Sequence, residues 1–429
     1  MIDISCPKGT YDILPEIQDS NLSWRQTHLW HFLEEICEKN AKNFGFQEIR
    51  TPFFERTELF KRSVGESSDI VSKEMYTFED KGNRSMTLRP EMTASVIRCF
   101  IELNLHQICP LHKFYYLGPM FRYDRPQAGR YRQFYQFGVE AIGDSSPELD
   151  SEMIDLLFSI CKDLHLKNLT LNINSVGDIA SREQYSNALK EYLLPKKNHL
   201  SSDSQARLHL NTLRILDSKD AQDQELLLEA PKLKNFLTDE SNVHFERVLS
   251  LLKMLDIPYV INPKLVRGLD YYNKTVFELT SGEIGSQNAI GGGGRYDGLM
   301  KTLKGPDLPS VGFAIGLERI LQAMIHQAVT MPSKSSSDIF IIPIGENALN
   351  YCFKLLHEMR ANGIVAEIDY SNKKLKDRLK IADQKQVKKV LIIGEDELSN
   401  DKATIKDMIY RTTRDIKLSE TIPEIKNID

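Results

Sequence analysis

Residues 114–140, FYYLGPMFRYDRPQAGRYRQFYQFGVE, constrain the fold of this chain more than any other stretch. They read as two strands joined by a cationic loop. In the second strand a period of two puts Phe134, Gln136, Gly138 and Glu140 on one side and Gln133, Tyr135, Phe137 and Val139 on the other. The first set offers an aromatic ring, an amide, a gap without a side chain and a carboxylate. Such a face can stack on a flat group, hydrogen-bond a polar one and meet a cation. The first strand, 114–122, ends in Arg122, and the loop adds Arg125, Arg130 and Arg132 around Pro126 and Gly129, a composition suited to phosphates. Taken alone, the pattern equally describes an amphipathic hairpin with a solvated basic tip.

At 429 residues the chain exceeds one core, and about 150 residues per domain gives two or three domains. A net charge of −5 gives no global signal for nucleic acid, so a polyanionic partner has to meet local basic patches. The six cysteines are scattered, without a CxxC pair or histidines at zinc-ligand spacing, and are expected to be reduced, mostly buried thiols. The amino-terminal stretch MIDISCPKGTYDILPEI has no apolar run after a basic start, and no stretch approaches about 18 apolar residues, which predicts a cytoplasmic protein. His28 and His31 lie one helical turn apart but lack an HExxH context, so they read as a packed pair. There is no GxxxxGK[ST] loop.

In chain order, residues 20–45 have helical periodicity closed by Gly45, and 46–54, FQEIRTPFF, reads as an extended strand broken at Pro52. A strand with such an edge suits a subunit interface. At 84–98, RSMTLRPEMTASVIR, a strand passes into a helix with Pro90 at its first position, and Glu91 and Thr93 fall in the first turn. Glu91 suits two readings equally, an acid complementing the helix dipole or a carboxylate meeting an ammonium group. A helix at 148–164 and a strand at 169–173 follow. Residues 180–255 are helical in pattern and read as an insertion between two sheet-forming halves.

The sheet signal returns at 259–279, where Arg267, Gly268, Asp270, Tyr271 and Tyr272 interrupt a strand-like stretch with ligand-capable groups, Asp270 being the one nearby carboxylate for Arg267. The run Gly291–Gly294 marks either a turn or a close backbone approach. In 310–321, SVGFAIGLERIL, a strand ends at Gly316 and feeds a helix with Arg319 in its first turn. A cation there opposes the dipole and calls for a compensating anion. Small polar residues at 326–337 read as a linker. Beyond it, strands at 338–344, 365–370, 390–393 and 404–410 alternate with helices at 347–362 and 374–384, a small α/β domain with a mixed sheet. Lys373, Lys374, Lys376, Arg378, Lys380, Lys385, Lys388 and Lys389 give it a basic stripe.

The proline strand after a long helix, the arginine-tipped hairpin and the glycine-led helix bearing Arg319 together resemble the three motifs of the class II aminoacyl-tRNA synthetases. Within that class the chain resembles the histidyl-tRNA synthetase family, through PKGTYDILP at 7–15, TLRPE at 87–91, FRYDRPQAGRYRQF at 121–134, RGLDYYNKTVFE at 267–278 and GGGRYDGL at 292–299. The resemblance runs from residue 7 to about residue 410. Met92 and the pair Tyr123-Asp124 depart from the family's usual residues. A regulatory paralogue of the family, a partner of ATP phosphoribosyltransferase, lacks the final domain and degrades RGLDYY, and both are intact here.

The resemblance implies an α+β fold: an antiparallel six-stranded catalytic sheet in residues 1–325 with a helical insertion at about 180–255, a linker at 326–337, and an anticodon-binding α/β domain at 338–429. It implies a homodimer that uses ATP with Mg²⁺, L-histidine and the histidine tRNA. Arg122, Arg267 and Arg319 would be catalytic. Histidine would meet Glu91, Thr93, Arg122, Gln136, Glu140, Arg267, Tyr271 and Tyr272, and ATP would meet Arg122, Phe134, Arg267 and Arg319. Arg125, Gln127 and Arg132 would meet tRNA.

Overall fold

The computed structural model describes residues 4–65, 68–127, 129–282, 289–333 and 337–426. It divides into two compact units, Met1–Pro332 and Ser333–Asp429. Residues 334–336 of the expected linker lie outside the described residues.

The strands of the first unit are β1 (Gln47–Glu48), β2 (Phe54–Arg56), β3 (Tyr76–Glu79), β4 (Ser85–Leu88), β5 (His112–Phe121), β6 (Gln133–Ile142), β7 (Leu169–Ser175), β8 (Tyr259–Ile261), β9 (Asn273–Ser281), β10 (Ala289–Arg295) and β11 (Ser310–Gly316). The main sheet is not the expected six-stranded antiparallel one. Among the described residues it has eight strands in the order β1-β5-β6-β11-β10-β9-β7-β8 and is mixed. The six inner strands pair antiparallel, and the short β1 and β8 add parallel edges to β5 and β7. These edges pair over two and three residues, too few for a periodic signal in the sequence.

The two faces of this sheet differ as the alternation in β6 demands. Phe137, Val139 and Ala141 of β6, Phe277 and Leu279 of β9, and Val311, Phe313 and Ile315 of β11 pack into one core with the helices Thr27–Asn43, Pro147–Asp163, Asp239–Met254 and Leu317–His326. On the opposite face Tyr116, Met120 and Val276 join a second core with the helix Thr93–Glu102 and the helical residues Tyr185, Leu189, Leu208 and Ile215. Burying each such Leu, Ile or Phe contributes about 1.5–3 kcal/mol. The middle of that second face is left open and forms a cavity.

Local departures have simple causes. The stretch 20–45 splits into a 3-10 turn, Ser20–Arg25, and the helix Thr27–Asn43, with Gln26 extended between them. FQEIRTPFF is broken where the proline stands, as expected: it pairs at β1 and again at β2, and Pro52, without an N–H to donate, lies in the gap. Pro90 is not helical, because the helix begins at Thr93, and Glu91 lies ahead of it. Residues 267–272 belong to no strand, while the four glycines at 291–294 lie inside β10 rather than in a turn. The insertion spans the helical elements from Ile179 to Met254. All six cysteines are free, but only Cys37, Cys161 and Cys352 are buried.

The second unit has a sheet in the order β13-β12-β14-β15-β16, with β12 (Ile339–Ile344), β13 (Ala366–Ile368), β14 (Lys389–Gly394), β15 (Lys402–Asp407) and β16 (Thr413–Lys417). Pairing is parallel at β12–β13 and β12–β14 and antiparallel at β14–β15–β16. The final hairpin strand was not legible as a separate element. Arg378 does not belong to the basic stripe. It is buried and bonds Asp369 at 2.7 Å and the carbonyls of Pro343 and Asp369. Lys373, Lys374, Lys376 and Lys380 remain exposed.

Candidate functional site

The cavity on the open sheet face has a volume of about 380 Å³, and Glu91, Thr93, Arg122, Phe134, Gln136, Glu140, Arg267, Tyr271, Tyr272 and Arg319 all line it. The floor is β6 and β11, whose alternation turns Phe134, Gln136 and Glu140 inward beside Gly312, Ala314 and Gly316. The cavity has two chemically different ends.

At one end a buried carboxyl sits among hydroxyls. Glu140 is 1% exposed and accepts hydrogen bonds from Thr93 Oγ1 at 2.6 Å, from Tyr116 Oη at 3.2 Å and from the Tyr296 hydroxyl. Burial pushes its pKa up to about 8, against the pull of the Thr93 and Tyr296 hydroxyls. Only a glycine fits opposite: a Cβ on Gly312 would lie 2.1 Å from Glu140 Oε2 and 2.3 Å from the Val139 carbonyl. Tyr271, Tyr272 and Tyr296 form an aromatic wall, with ring centroids 4.7 and 5.5 Å apart for Tyr271 against the other two. Glu91 caps the helix, accepting the N–H of Thr93 at 2.7 Å and of Ala94 at 3.0 Å, and it also lines the cavity, so the two readings do not exclude each other. Burial raises its pKa against those two donors.

The other end is cationic. Arg122 donates through Nε to the Pro90 carbonyl at 2.8 Å, and its guanidinium lies 5.3 Å from the centroid of the Phe134 ring. Arg319 is anchored by the carbonyls of Gly129 at 3.0 Å and Ala289 at 2.6 Å. Burial, then the charges of Arg130 and Arg122, lower its pKa, though a guanidinium stays charged throughout. Among the described residues no side-chain anion bonds Arg319; carbonyl oxygens hold the arginine, and three like charges, Arg122, Arg130 and Arg319, stand together at this end.

Arg267 crosses the rim between the ends. Its partner is not Asp270 but Glu278 of β9, with Nη1 to Oε2 at 2.7 Å. Asp270 instead accepts from Asn211 Nδ2 at 2.7 Å. The glycine run explains the crossing: a Cβ on Gly292 would lie 2.8 Å from Arg267 Nη1 and 2.6 Å from the Phe277 carbonyl. Met92 is buried in the second core with Val96, Ile97 and Phe100 and does not line the cavity.

A family model described as histidyl-tRNA synthetase matches residues 25–320, and one described as anticodon binding domain matches residues 338–428. The chain belongs to the histidyl-tRNA synthetase family. A histidine–tRNA ligase of Protochlamydia amoebophila is 55% identical over 99% of both chains, and one of Bacillus subtilis is 46% identical over 98% of both. The crystal structure of apo S. aureus histidyl-tRNA synthetase superposes with a TM-score of 0.83 at 39% identity, covering 99% of this chain and 100% of that one. Among the described residues no helix is long and apolar enough to cross a membrane.

The residues carried over from the histidyl-tRNA synthetase motifs for tRNA lie outside the cavity. Arg125 and Gln127 are exposed at the loop tip, and Ala128 lies outside the described residues. Arg132 is half-buried, stacked 3.9 Å from the centroid of the Tyr123 ring and donating through Nε to the Asp124 carbonyl at 3.3 Å. Arg130, not Arg132, lines the cavity, and it pairs with Asp124 at 3.0 Å.

Several residues of the site were not singled out from the sequence. Tyr116 and Tyr296 complete the hydroxyl set around Glu140, and Tyr296 follows directly on GGGR. Glu318 accepts the Tyr11 hydroxyl and the Tyr135 N–H, the latter at 2.7 Å, and burial pushes its pKa up to about 7. Tyr11 belongs to PKGTYDILP, so the amino-terminal stretch is bonded to the residue beside Arg319. Arg295, fully buried and not part of the cavity lining, bonds Asp150, the carbonyls of Asp144 and Ser146, and Asp297. Removing one partner of so deeply buried a pair costs about 3–5 kcal/mol.

Proposed function

We propose that this chain is an ATP-dependent histidine–tRNA ligase working through a histidyl-adenylate. The observation that carries the reading is one cavity with a buried carboxyl ringed by hydroxyls at one end and an arginine cluster with a stackable ring at the other. In the first step a histidine carboxylate oxygen attacks the α-phosphorus of ATP. A carboxyl–phosphate bond forms, the bond to the β-phosphate oxygen breaks, and pyrophosphate leaves. In the second step a hydroxyl of the terminal tRNA ribose attacks the histidyl carbonyl and AMP leaves.

No protein nucleophile is needed, so positioning and charge carry the chemistry. Arg122 stabilises charge growing on the α-phosphate, Phe134 stacks adenine, and Arg319 holds the γ-phosphate. Arg267 approaches the α-phosphate from the opposite side. Glu91, Thr93 and Gln136 take the amino and carboxylate groups of histidine, and Glu140 with Tyr271 and Tyr272 takes the imidazole. Mg²⁺ would accompany the ATP.

The proposal extends to a cytoplasmic homodimer with residues 1–325 catalytic, 326–337 a linker and 338–429 reading the anticodon. The supporting features of the last are the family match at 338–428 and the exposed lysines at 373, 374, 376 and 380. The deciding experiment is exchange of labelled pyrophosphate into ATP across the common amino acids. Only histidine is expected to support it; comparable activation of another amino acid, or of none, overturns the assignment.

A further inference from the structure

The segment 268–272 presents Tyr271 and Tyr272 to the cavity directly after Arg267, yet it belongs to no helix or strand. Among the described residues its backbone makes one hydrogen bond to other backbone, from the Asp270 N–H to the Val64 carbonyl, long at 3.4 Å. Its alternate carbonyls are held instead by side chains from the helical insertion. Arg214 Nη1 donates to the Gly268 carbonyl at 2.9 Å, and Arg182 Nη1 donates to the carbonyls of Asp270 at 3.1 Å and Tyr272 at 2.7 Å. Asn211 adds its bond to the Asp270 carboxylate. The same helices reach a second wall, because Arg207 and Arg214 both lie 3.3 Å from Asp69 Oδ2, and Ile70 beside it lines the cavity.

We infer that Arg182 and Arg214 are positioning residues: the insertion sets the conformation of the segment that follows Arg267 and carries Tyr271 and Tyr272, and through it the affinity for histidine. The inference rests on the reading of this cavity as the histidine and ATP site. Its physical basis is that three charge-assisted bonds to carbonyls outweigh one long backbone bond in deciding which conformer is populated. Without them the segment samples other conformers, and histidine has to bind the fraction that remains competent. Phe134 and Arg319 are placed by β6 and by the helix Leu317–His326, which owe nothing to these arginines, so the effect falls on one substrate more than on the other.

The test uses full-length Arg182→Met and Arg214→Met, with Arg247→Met as control. Arg247 lies in the same insertion but pairs with Glu148 at the surface, where the two side chains are 47% and 52% exposed. Histidine and ATP are titrated separately in pyrophosphate exchange, and histidine binding is measured by calorimetry. The expected result is a rise of about tenfold in KM and Kd for histidine in each variant, with KM for ATP changed less than about threefold and the control unchanged. Arg182→Lys, which keeps an ammonium donor on a similar stem, recovers most of the loss. Equal rises in both KM values, an unchanged histidine affinity, or a lower Tm with unaltered constants overturns the inference. Failure of the unmodified protein to support histidine-dependent exchange overturns the proposed function instead.

Discussion

Arg267 donates to Glu278 at 2.7 Å across the cavity rim, with side chains 21% and 30% exposed, so part of this ion pair still faces the space where substrate would lie. A pair this solvated contributes about 0–1 kcal/mol to stability. Arg267→His should therefore lower Tm little. If Arg267 neutralises the α-phosphate in the transition state, adenylate formation should slow ten- to hundredfold, from about 1.5–3 kcal/mol for a charge-assisted contact, and up to about a thousandfold in a dry preorganised site. Transfer from preformed histidyl-adenylate should suffer less. A lowered Tm with the rate per folded molecule preserved would instead make Arg267 structural, and rapid-quench kinetics beside a melting curve separates the outcomes.

Gly312 offers a steric test of the carboxyl end. Gly312→Ala puts a methyl 2.1 Å from Glu140 Oε2 and 2.3 Å from a backbone carbonyl, so either Glu140 turns away or β6 and β11 part. Overpacking of this kind costs about 1–3 kcal/mol, and histidine affinity should fall at least tenfold. Gly298→Ala, with nothing within 4 Å of the added atom, is the control and should bind histidine normally. Calorimetry on both variants checks this.

The contrast between what the sequence disclosed and what it concealed follows from distance along the chain. The period of two in β6 was readable because it is local, and it separates Phe137 and Val139, which pack the core, from Phe134, Gln136 and Glu140, which face the cavity. The helix bearing Arg319 was readable from Gly316 onward for the same reason. The Arg267–Glu278 pair depends on a loop returning over β9 and β10, and nothing local favours Glu278 over Asp270. The Tyr11–Glu318 bond joins positions 307 residues apart, and the Arg182 contacts join positions 88 and 90 apart. The motifs of the family supplied the composition of the site, whereas the bonds that hold each group in place required the fold.

Glu140 predicts a pH dependence whose sign is fixed. Its folded pKa, about 8, lies above the ordinary 4.5, so the folded state keeps a proton that the unfolded chain releases. The resulting stabilisation is complete below about pH 4.5 and is lost as pH rises through about 8. Between about pH 6 and 9 the unliganded protein should lose Tm with rising pH, and Glu140→Gln should flatten that slope. Glu318, pushed up to about 7, acts in the same direction and remains in the variant, so the slope is reduced rather than abolished. An identical slope in both proteins would mean that Glu140 is ionised throughout.

Deleting residues 338–429 should spare histidyl-adenylate formation, because every described residue that lines the cavity lies in the first unit. Aminoacylation should weaken, and the deficit relative to the full chain should shrink as salt rises, since phosphate contacts from the exposed Lys373, Lys374, Lys376 and Lys380 would act by counterion release. Titration of tRNA at two ionic strengths reads this directly; equal aminoacylation efficiency with and without the domain would remove it from tRNA recognition.

The loop between β5 and β6 offers a test that distinguishes the two steps of the proposed reaction. Its backbone is closed by reciprocal bonds between Gln127 and Arg130, at 3.2 and 2.9 Å, which leave the Gln127 side chain exposed while Arg130 turns to the cavity. Among the described residues that exposed amide makes no side-chain hydrogen bond, and it suits a base edge of an incoming acceptor end, where one matched contact is worth about 1–3 kcal/mol. Gln127→Ala should slow histidyl transfer about tenfold and leave pyrophosphate exchange unchanged. Arg132→Ala should behave differently, because it also removes the stack on Tyr123 and the bond to the Asp124 carbonyl that brace the loop, so both steps should decline. Single-turnover transfer measured beside exchange decides the matter: equal losses in both steps for Gln127→Ala would place Gln127 in the framework of the ATP site rather than against tRNA.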